Sequence, residues 1–110
     1  MAGQRGAIGG SGSRKIIAAG TKDIPAAATP LGLTATSTPC SAVWIGAPCD
    51  ANGAATNTKP AFIGITGSGT QVIPLAVSNF EGFTIPCEDA ADVFIKVGVN
   101  GNDVMYAIFR

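Results

Sequence analysis

The apolar residues of this chain occur in short runs, and this feature most limits the folds that it can adopt. Each run covers about four to eight residues and ends at Gly, Pro, Asn or Asp, a pattern that favours strands over helices. Successive runs begin roughly ten residues apart, as in a sandwich or barrel. The predicted strands are Lys15–Ala19, Leu31–Thr36, Ala42–Ala47, Ala61–Thr66, Thr70–Val77, Gly82–Ile85, Asp92–Val97 and Val104–Phe109.

The sequence therefore predicts an all-β fold, an antiparallel β-sandwich that is jelly-roll-like, with about eight short strands. A length of 110 residues fits one domain with one modest core. Residues 1–13 hold five Gly and two Ser and bury too little apolar area to offset their ordering entropy. We predict a flexible Gly-rich N-terminal arm over 1–13 and the β-sandwich domain over 14–110.

Charge and composition exclude several classes of function. Seven basic and seven acidic residues give a formal net charge of zero, whereas a nucleic-acid-binding domain carries a basic excess. The chain has no His, which removes the commonest general base and metal ligand. No apolar run is long enough to span a membrane. We expect no enzyme, no cofactor, no metal, no nucleic-acid partner and no membrane partner.

The final two predicted strands have the clearest alternation. In Val93–Val97 the odd-numbered residues share one apolar face and Lys96 points to the other. Asn100-Gly101 is a dipeptide preferred in tight hairpin turns, so the two strands are expected to form a hairpin. Both faces of Val104–Phe109 are apolar. This strand is therefore either central and covered twice or part of a subunit contact, and Phe109 is a candidate partner-binding residue.

Three further residue types leave alternatives open. Trp44 is interpreted as an anchor in the core, with an anchor in an interface as the alternative. Pro74 cannot donate to a ladder, so its strand is expected at an edge or at a bulge. The cysteines, Cys40, Cys49 and Cys87, fit small half-buried hydrophobes in a reducing compartment; one disulfide, within or between chains, is the alternative.

Two acidic segments resemble chemical sites only in part. The segment Ala47–Lys59 is polar, rich in small residues and predicted to be an exposed loop. Within it, Asp50–Gly53 has the opening of a calcium loop but lacks the distal Glu, so an Asx turn is predicted. Glu88, Asp89 and Asp92 precede a strand without aromatic residues beside them, so solvated turn charges are predicted.

Charge is distributed unevenly along the chain. The basic residues Arg5, Arg14, Lys15 and Lys22 precede the first acidic residue. Within residues 81–103 the charged residues are five acids against one base, namely Glu81, Glu88, Asp89, Asp92 and Asp103 against Lys96. The asymmetry is either solvated surface or head-to-tail complementarity between subunits. On the second interpretation Arg5, Arg14 and Lys15 join Phe109 as candidate partner-binding residues.

The Gly-rich arm is followed by Thr-Pro-Cys-Ser-Ala-Val-Trp-Ile-Gly-Ala at 38–47, by Ala-Phe-Ile-Gly-Ile at 61–65 and by a closing strand pair at 92–108. In this succession the chain resembles, over roughly residues 30–110, small β-sandwich virion proteins of tailed bacteriophages, of the capsid decoration or cement type. The resemblance implies a protein made in the host cytoplasm that binds the outer surface of the head. Its implied partners are the major capsid protein and further copies of itself, as a homotrimer. Two alternatives stay open: a neck, head-fibre or tail-associated protein, and a carbohydrate- or receptor-binding β module.

The arm either has no role or becomes ordered on a partner, and its deletion separates these alternatives. Removal of residues 1–13 should leave the circular dichroism spectrum unchanged, because the arm adds nothing to the core. Attachment to phage heads should weaken by about tenfold or more, because one of several linked contacts is lost. Equal co-sedimentation of the full-length and shortened chains would leave the arm without a role.

Overall fold

Two antiparallel four-stranded sheets share one core in the computed structural model, which describes residues 15–65 and 73–110. The predicted arm, with Arg5, and Arg14 lie outside the described residues. A three-residue 3-10 turn covers Ala90–Asp92. The strands are β1 Ile16–Asp23, β2 Leu31–Gly32, β3 Ala42–Gly46, β4 Ala61–Gly64, β5 Ile73–Leu75, β6 Phe83–Pro86, β7 Phe94–Val97 and β8 Asp103–Phe109.

The strand order is that of a jelly roll. Sheet I has the order β1-β8-β3-β6 and sheet II the order β2-β7-β4-β5. The two strands nearest the N-terminus pair with the two nearest the C-terminus, β1 with β8 and β2 with β7. The four strands in the middle of the sequence pair in the same nested way, β3 with β6 and β4 with β5. This is the pattern of one long hairpin rolled into two sheets. The predicted all-β sandwich is confirmed, and each of the eight predicted segments overlaps an observed strand.

The core is filled by the inward residues of both sheets. Val43 and Ile45 of β3 are fully buried, and Ile63 and Ile95 meet them from sheet II. Side chains alternate between the two faces of a strand, so every second residue contributes to this layer. The predicted inner face of the β7 segment is confirmed, because Val93, Ile95 and Val97 are 0–1% exposed.

The predicted hairpin between the last two strands is wrong. β7 pairs with β2 and β4 in sheet II, whereas β8 pairs with β1 and β3 in sheet I. The turn is present, since Gly101 has φ 82°, but its backbone N–H donates to Ile24 O at 3.1 Å. The turn is thus tied to the end of β1 and carries the chain across the core. Because the chain passes from sheet II to sheet I at this turn, Ile95 and Ile108 bury their side chains in the core from opposite sheets. Two strands paired in one flat hairpin would lie in the same sheet and could not do this.

Two predictions about the middle of the chain are confirmed. β5, which contains Pro74, is an edge strand of sheet II and pairs only with β4 among the described residues. The connection between β4 and β5 spans residues 66–72, which lie outside the described residues. The segment Ala47–Lys59 is mostly exposed, as expected, but Asn57 is buried and bonds both backbone groups of Asp103, at 2.7 and 3.0 Å.

Gly82 allows the segment before β6 to approach β3 closely. Its φ is 66°, and a Cβ added there would lie 2.0 Å from the carbonyl oxygen of Ile45. The backbone N–H of Gly82 also donates to Asn79 Oδ1 at 3.0 Å, which closes the turn. Neither the backbone of β3 nor this turn can move without loss of ladder hydrogen bonds, so the position requires glycine.

Gly82→Ala should therefore destabilise the fold by about 3 kcal/mol or more, because positive φ and a backbone clash add together. Gly101→Ala is the matched control. Gly101 has φ 82° but nothing within 4 Å of an added Cβ, so only about 1 kcal/mol for the left-handed conformation is lost. Urea unfolding followed by circular dichroism measures both variants, and equal losses would contradict the close approach.

Candidate interaction surface

The outer face of sheet I carries a row of apolar side chains, of which Ala42 is fully buried. The cross-strand register places Phe109 of β8 opposite both Ile16 of β1 and Ala42 of β3. Because Val104 and Ile108 of the same strand are buried, the residues that alternate with them point away from the core. We call this the sheet I face; its apolar members are Ile16, Ala19, Ala42, Trp44, Met105, Ala107 and Phe109.

Trp44 lies at the centre of the sheet I face and not in the core, so its interpretation as a core anchor is wrong. Val43 and Ile45 occupy the inward positions of β3, and alternation leaves the indole outside, half-buried. The indole Nε1 donates to the carbonyl oxygen of Glu81 at 2.7 Å. The ring also lies against Gly46, where an added Cβ would be 2.5 Å from two ring carbons. Trp44 is therefore held in a fixed position on the surface.

Charged residues of the β1–β8 pair that crosses this face lie near its two ends, and Lys22 lies beside Asp23, opposite the buried Val104. At one end Lys15 and Arg110 extend the ladder, with reciprocal backbone hydrogen bonds of 3.0 and 2.8 Å. At the other end Asp23 lies directly opposite Asp103. Thr21 Oγ1 donates to Met105 Sδ at 3.0 Å between these ends. The outward strand positions thus form an uncharged surface with a basic end and an acidic end.

The acidic end contains one carboxyl group with a perturbed pKa. Desolvation by burial, then the hydrogen bond and the charge of Asp23, raise the pKa of Asp103 above its usual value. Like charges placed directly opposite on neighbouring strands destabilise a sheet. Proton uptake by Asp103 relieves the repulsion between the two carboxyl groups.

Of the four predicted partner-binding residues, the structure brings two together. Lys15 is exposed and adjoins the pair formed by Ile16 and Phe109, at the basic end of the sheet I face. Arg5 and Arg14 lie outside the described residues. Alternation along β8 places Met105 on the same face as Phe109, as the sequence predicted, whereas Trp44 joins this face through the alternative of an interface anchor. Because neighbouring residues of a strand point to opposite faces, the burial of Val43 places Trp44 on the outer face once β3 is known to be a strand.

Sheet II also carries aromatic side chains on its outer face. Phe62 of β4 lies opposite Lys96 of β7 and Pro74 of β5, and Phe94 lies opposite Gly64. Phe62 and Phe94 are both half-buried. Here the cation of Lys96 is central, whereas sheet I has its charges at the ends. The two faces therefore differ in electrostatics although both carry aromatic side chains.

The acidic segments serve the fold locally. Asp50 Oδ1 accepts from the backbone N–H groups of Asn52 and Ala54 at 2.8 and 3.0 Å, which confirms the Asx turn. Asp89 caps the 3-10 turn, and its hydrogen bonds, from the Ser37 hydroxyl above all, lower its pKa. Within residues 15–65 and 73–110 no three His, Cys, Asp or Glu side chains group closely enough to hold a metal ion.

A small depression beside the end of β1 offers only hydrophobic contact and one hydroxyl group. It is lined by Ile24, Pro25, Ala26, Thr29 and Leu31. Across the described part of the chain no helix has the length and hydrophobicity that crossing a bilayer demands.

Comparison with protein-family models, with curated proteins and with solved structures yields no match for this chain. Function is therefore argued from the jelly-roll fold, the sheet I face and the residues that compose it.

The Asp23–Asp103 pair gives a pH prediction. The folded state binds the Asp103 proton more tightly than the unfolded state does. Its contribution is therefore fully present below the usual Asp range and is lost as pH rises through the raised pKa. Asp103→Asn should stabilise the protein at pH 7 by about 0.5 kcal/mol and less at pH 3. Glu88→Gln, an exposed neutralisation away from this pair, is the control; a pH-independent gain in thermal unfolding would contradict the repulsion.

Proposed function

We propose that this chain is a virion structural protein, a capsid decoration or cement protein of a tailed bacteriophage. It binds the outer surface of the head, self-associates as a homotrimer and stabilises contacts between subunits of the major capsid protein. The observation that carries the proposal is the sheet I face, a row of apolar side chains on a rigid β body with charged residues near its two ends. Such a surface suits burial against another protein.

The jelly roll is consistent with this role but does not select it. The fold occurs in viral capsid proteins, in lectin domains and in cupins, so the choice depends on the surface residues. Cupin-type metal chemistry relies on His, and the chain contains none. The resemblance at 38–47 and 92–108 covers β3 and β8, the two strands that supply Trp44, Met105 and Phe109 to the sheet I face.

A cement role also fits the distribution of charge. The two ends of the face differ in charge. One end is basic, with Lys15 and Arg110, and the other carries the acidic pair Asp23 and Asp103. Complementary ends fix the orientation of neighbouring subunits, while the uncharged centre supplies the buried area. A homotrimer that contacts several capsid subunits binds the assembled head far better than one free subunit, because each contact raises the effective concentration of the next.

A carbohydrate-binding module is the second candidate, and one observation favours it. Trp44 presents its indole on the outer face of a sheet, and aromatic rings with one apolar surface and one polar edge suit such contacts. Its Nε1 group is already occupied by Glu81 O, which leaves only the ring for contact. A glycan array reports this activity directly, and a specific signal there would favour this candidate over the cement role.

Co-sedimentation with expanded heads of the phage that encodes the chain tests the proposal. The protein should pellet with assembled heads and should not bind isolated capsid monomers. Immunogold labelling should then mark the whole head. Protein that stays in the supernatant with intact heads would overturn the proposal, and label confined to one vertex or to the tail would replace it by another virion role.

Phe109→Ser should weaken head binding and self-association by about tenfold or more, because it removes an aromatic anchor from the sheet I face. Phe62→Ser is the matched control, since it makes the same change at a half-buried Phe on the outer face of sheet II. Light scattering measures the oligomer and circular dichroism verifies the fold. A larger effect of Phe62→Ser would assign binding to the other sheet.

A further inference from the structure

Two of the three cysteines lie in contact with each other. Cys40 Sγ and Cys87 Sγ are 3.5 Å apart, and both thiols are reduced in this structure. Both residues are half-buried and pack against the core. A disulfide needs sulfur atoms about 2.0 Å apart, so closure requires the two side chains to approach by little more than the length of a covalent bond.

The backbone on both sides of the pair is already fixed. Cys40 precedes β3 and Cys87 follows β6, two strands that are neighbours in sheet I. The N–H of Cys40 donates to Glu88 O at 3.0 Å, and the N–H of Cys87 donates to Ser41 O at 3.4 Å. These bonds extend the β3–β6 ladder and hold the two strand ends side by side, with Cys40 and Cys87 as diagonal neighbours.

We propose that Cys40 and Cys87 are a redox-active pair that closes into an intramolecular disulfide when the protein leaves a reducing environment. Cys49 does not take part. It is exposed in the segment after β3, at the opposite end of that strand from Cys40, roughly 17 Å away for a five-residue strand.

The reaction is a two-electron thiol–disulfide exchange with a small-molecule disulfide such as oxidised glutathione. The Cys40 thiolate attacks one sulfur of that disulfide, which releases one glutathione and leaves the other on Cys40. The Cys87 thiolate then attacks Cys40 Sγ and releases the second glutathione. The protein dithiol is oxidised, the reagent is reduced to two thiols, and the two protein protons end on those thiols.

The environment of Cys87 slows the second of these steps. Burial, followed by the hydrogen bond and charge of Cys40, raises the pKa of Cys87 to about 12. Cys87 therefore stays protonated at neutral pH. The second step depends on loss of the Cys87 proton, so closure should accelerate as pH rises from 7 to 9.

Closure changes the stability of the part of the fold that joins β3 to β6. The crosslink joins residues separated by 47 positions, a loop that holds β3, β4, β5 and β6. Constraint of a loop of this length lowers the entropy of the unfolded chain and should raise the Tm by on the order of 10 °C. The reduced form persists in the cytoplasm and the oxidised form outside it. This inference does not depend on the identity of the binding partner.

Cys49→Ser removes the exposed thiol and is the background for the test. The folded variant is incubated with oxidised glutathione at pH 8 and then examined by intact mass, thiol titration in denaturant and peptide mapping. We expect both thiols to disappear, the mass to fall by two hydrogen atoms, one peptide to link Cys40 to Cys87, and the Tm to rise relative to a sample kept in reductant.

The matched control is Cys49→Ser with Cys87→Ser, which should stop at a stable glutathione adduct on Cys40 and show no rise in Tm. Peptide mapping of the Cys49→Ser protein alone decides the matter if the double variant does not fold. Two thiols that still titrate after oxidation, a persistent glutathione adduct in Cys49→Ser, or disulfide-linked dimers in place of the internal bridge would each overturn the proposal.

Discussion

Burial of inward residues from two sheets in a single layer determines most of this structure. Ile45 of sheet I and Ile63 of sheet II are fully excluded from solvent, and each lies on a strand whose alternate residues face outward. A strand has two faces and the core accepts only one of them. Apolar residues beyond those the core accepts are thus left on the outer faces, which is why Trp44 and Phe109 lie where another protein can contact them.

The sequence pattern predicted the strands better than it predicted their partners. Short apolar runs bounded by turn residues mark strands wherever they occur, so the segment around Val93–Val97 was assigned correctly, including its buried face. Pairing depends on contacts distant in sequence. Asn100-Gly101 favours a tight turn locally, but seven residues of β1 pair with β8. This long-range pairing, which is continuous from Ala18 to Asp23, is formed in place of a local pairing between β7 and β8.

The candidate surface was predictable only in part, for a related reason. The two apolar faces of Val104–Phe109 are visible in the sequence, and they point to Phe109 without any structure. Trp44 requires knowledge of which face of β3 is buried, and a lone Trp beside Val43 and Ile45 fits either choice. The approach of Cys40 to Cys87 follows from the β3–β6 pairing, and a separation of 47 positions in the sequence hides it from any local pattern.

The cysteine pair and the sheet I face meet at the same end of the molecule. Ser41, next to Cys40, donates its backbone N–H to Phe109 O at 2.8 Å, and Ala42 lies opposite Phe109. A crosslink at Cys40 therefore restrains the strand that carries Trp44 and the ladder that holds Phe109. Restraint before binding reduces the entropy lost on association. For any partner that the sheet I face binds, the crosslink lowers this entropy cost through the geometry of β3, without adding any contact to the surface itself.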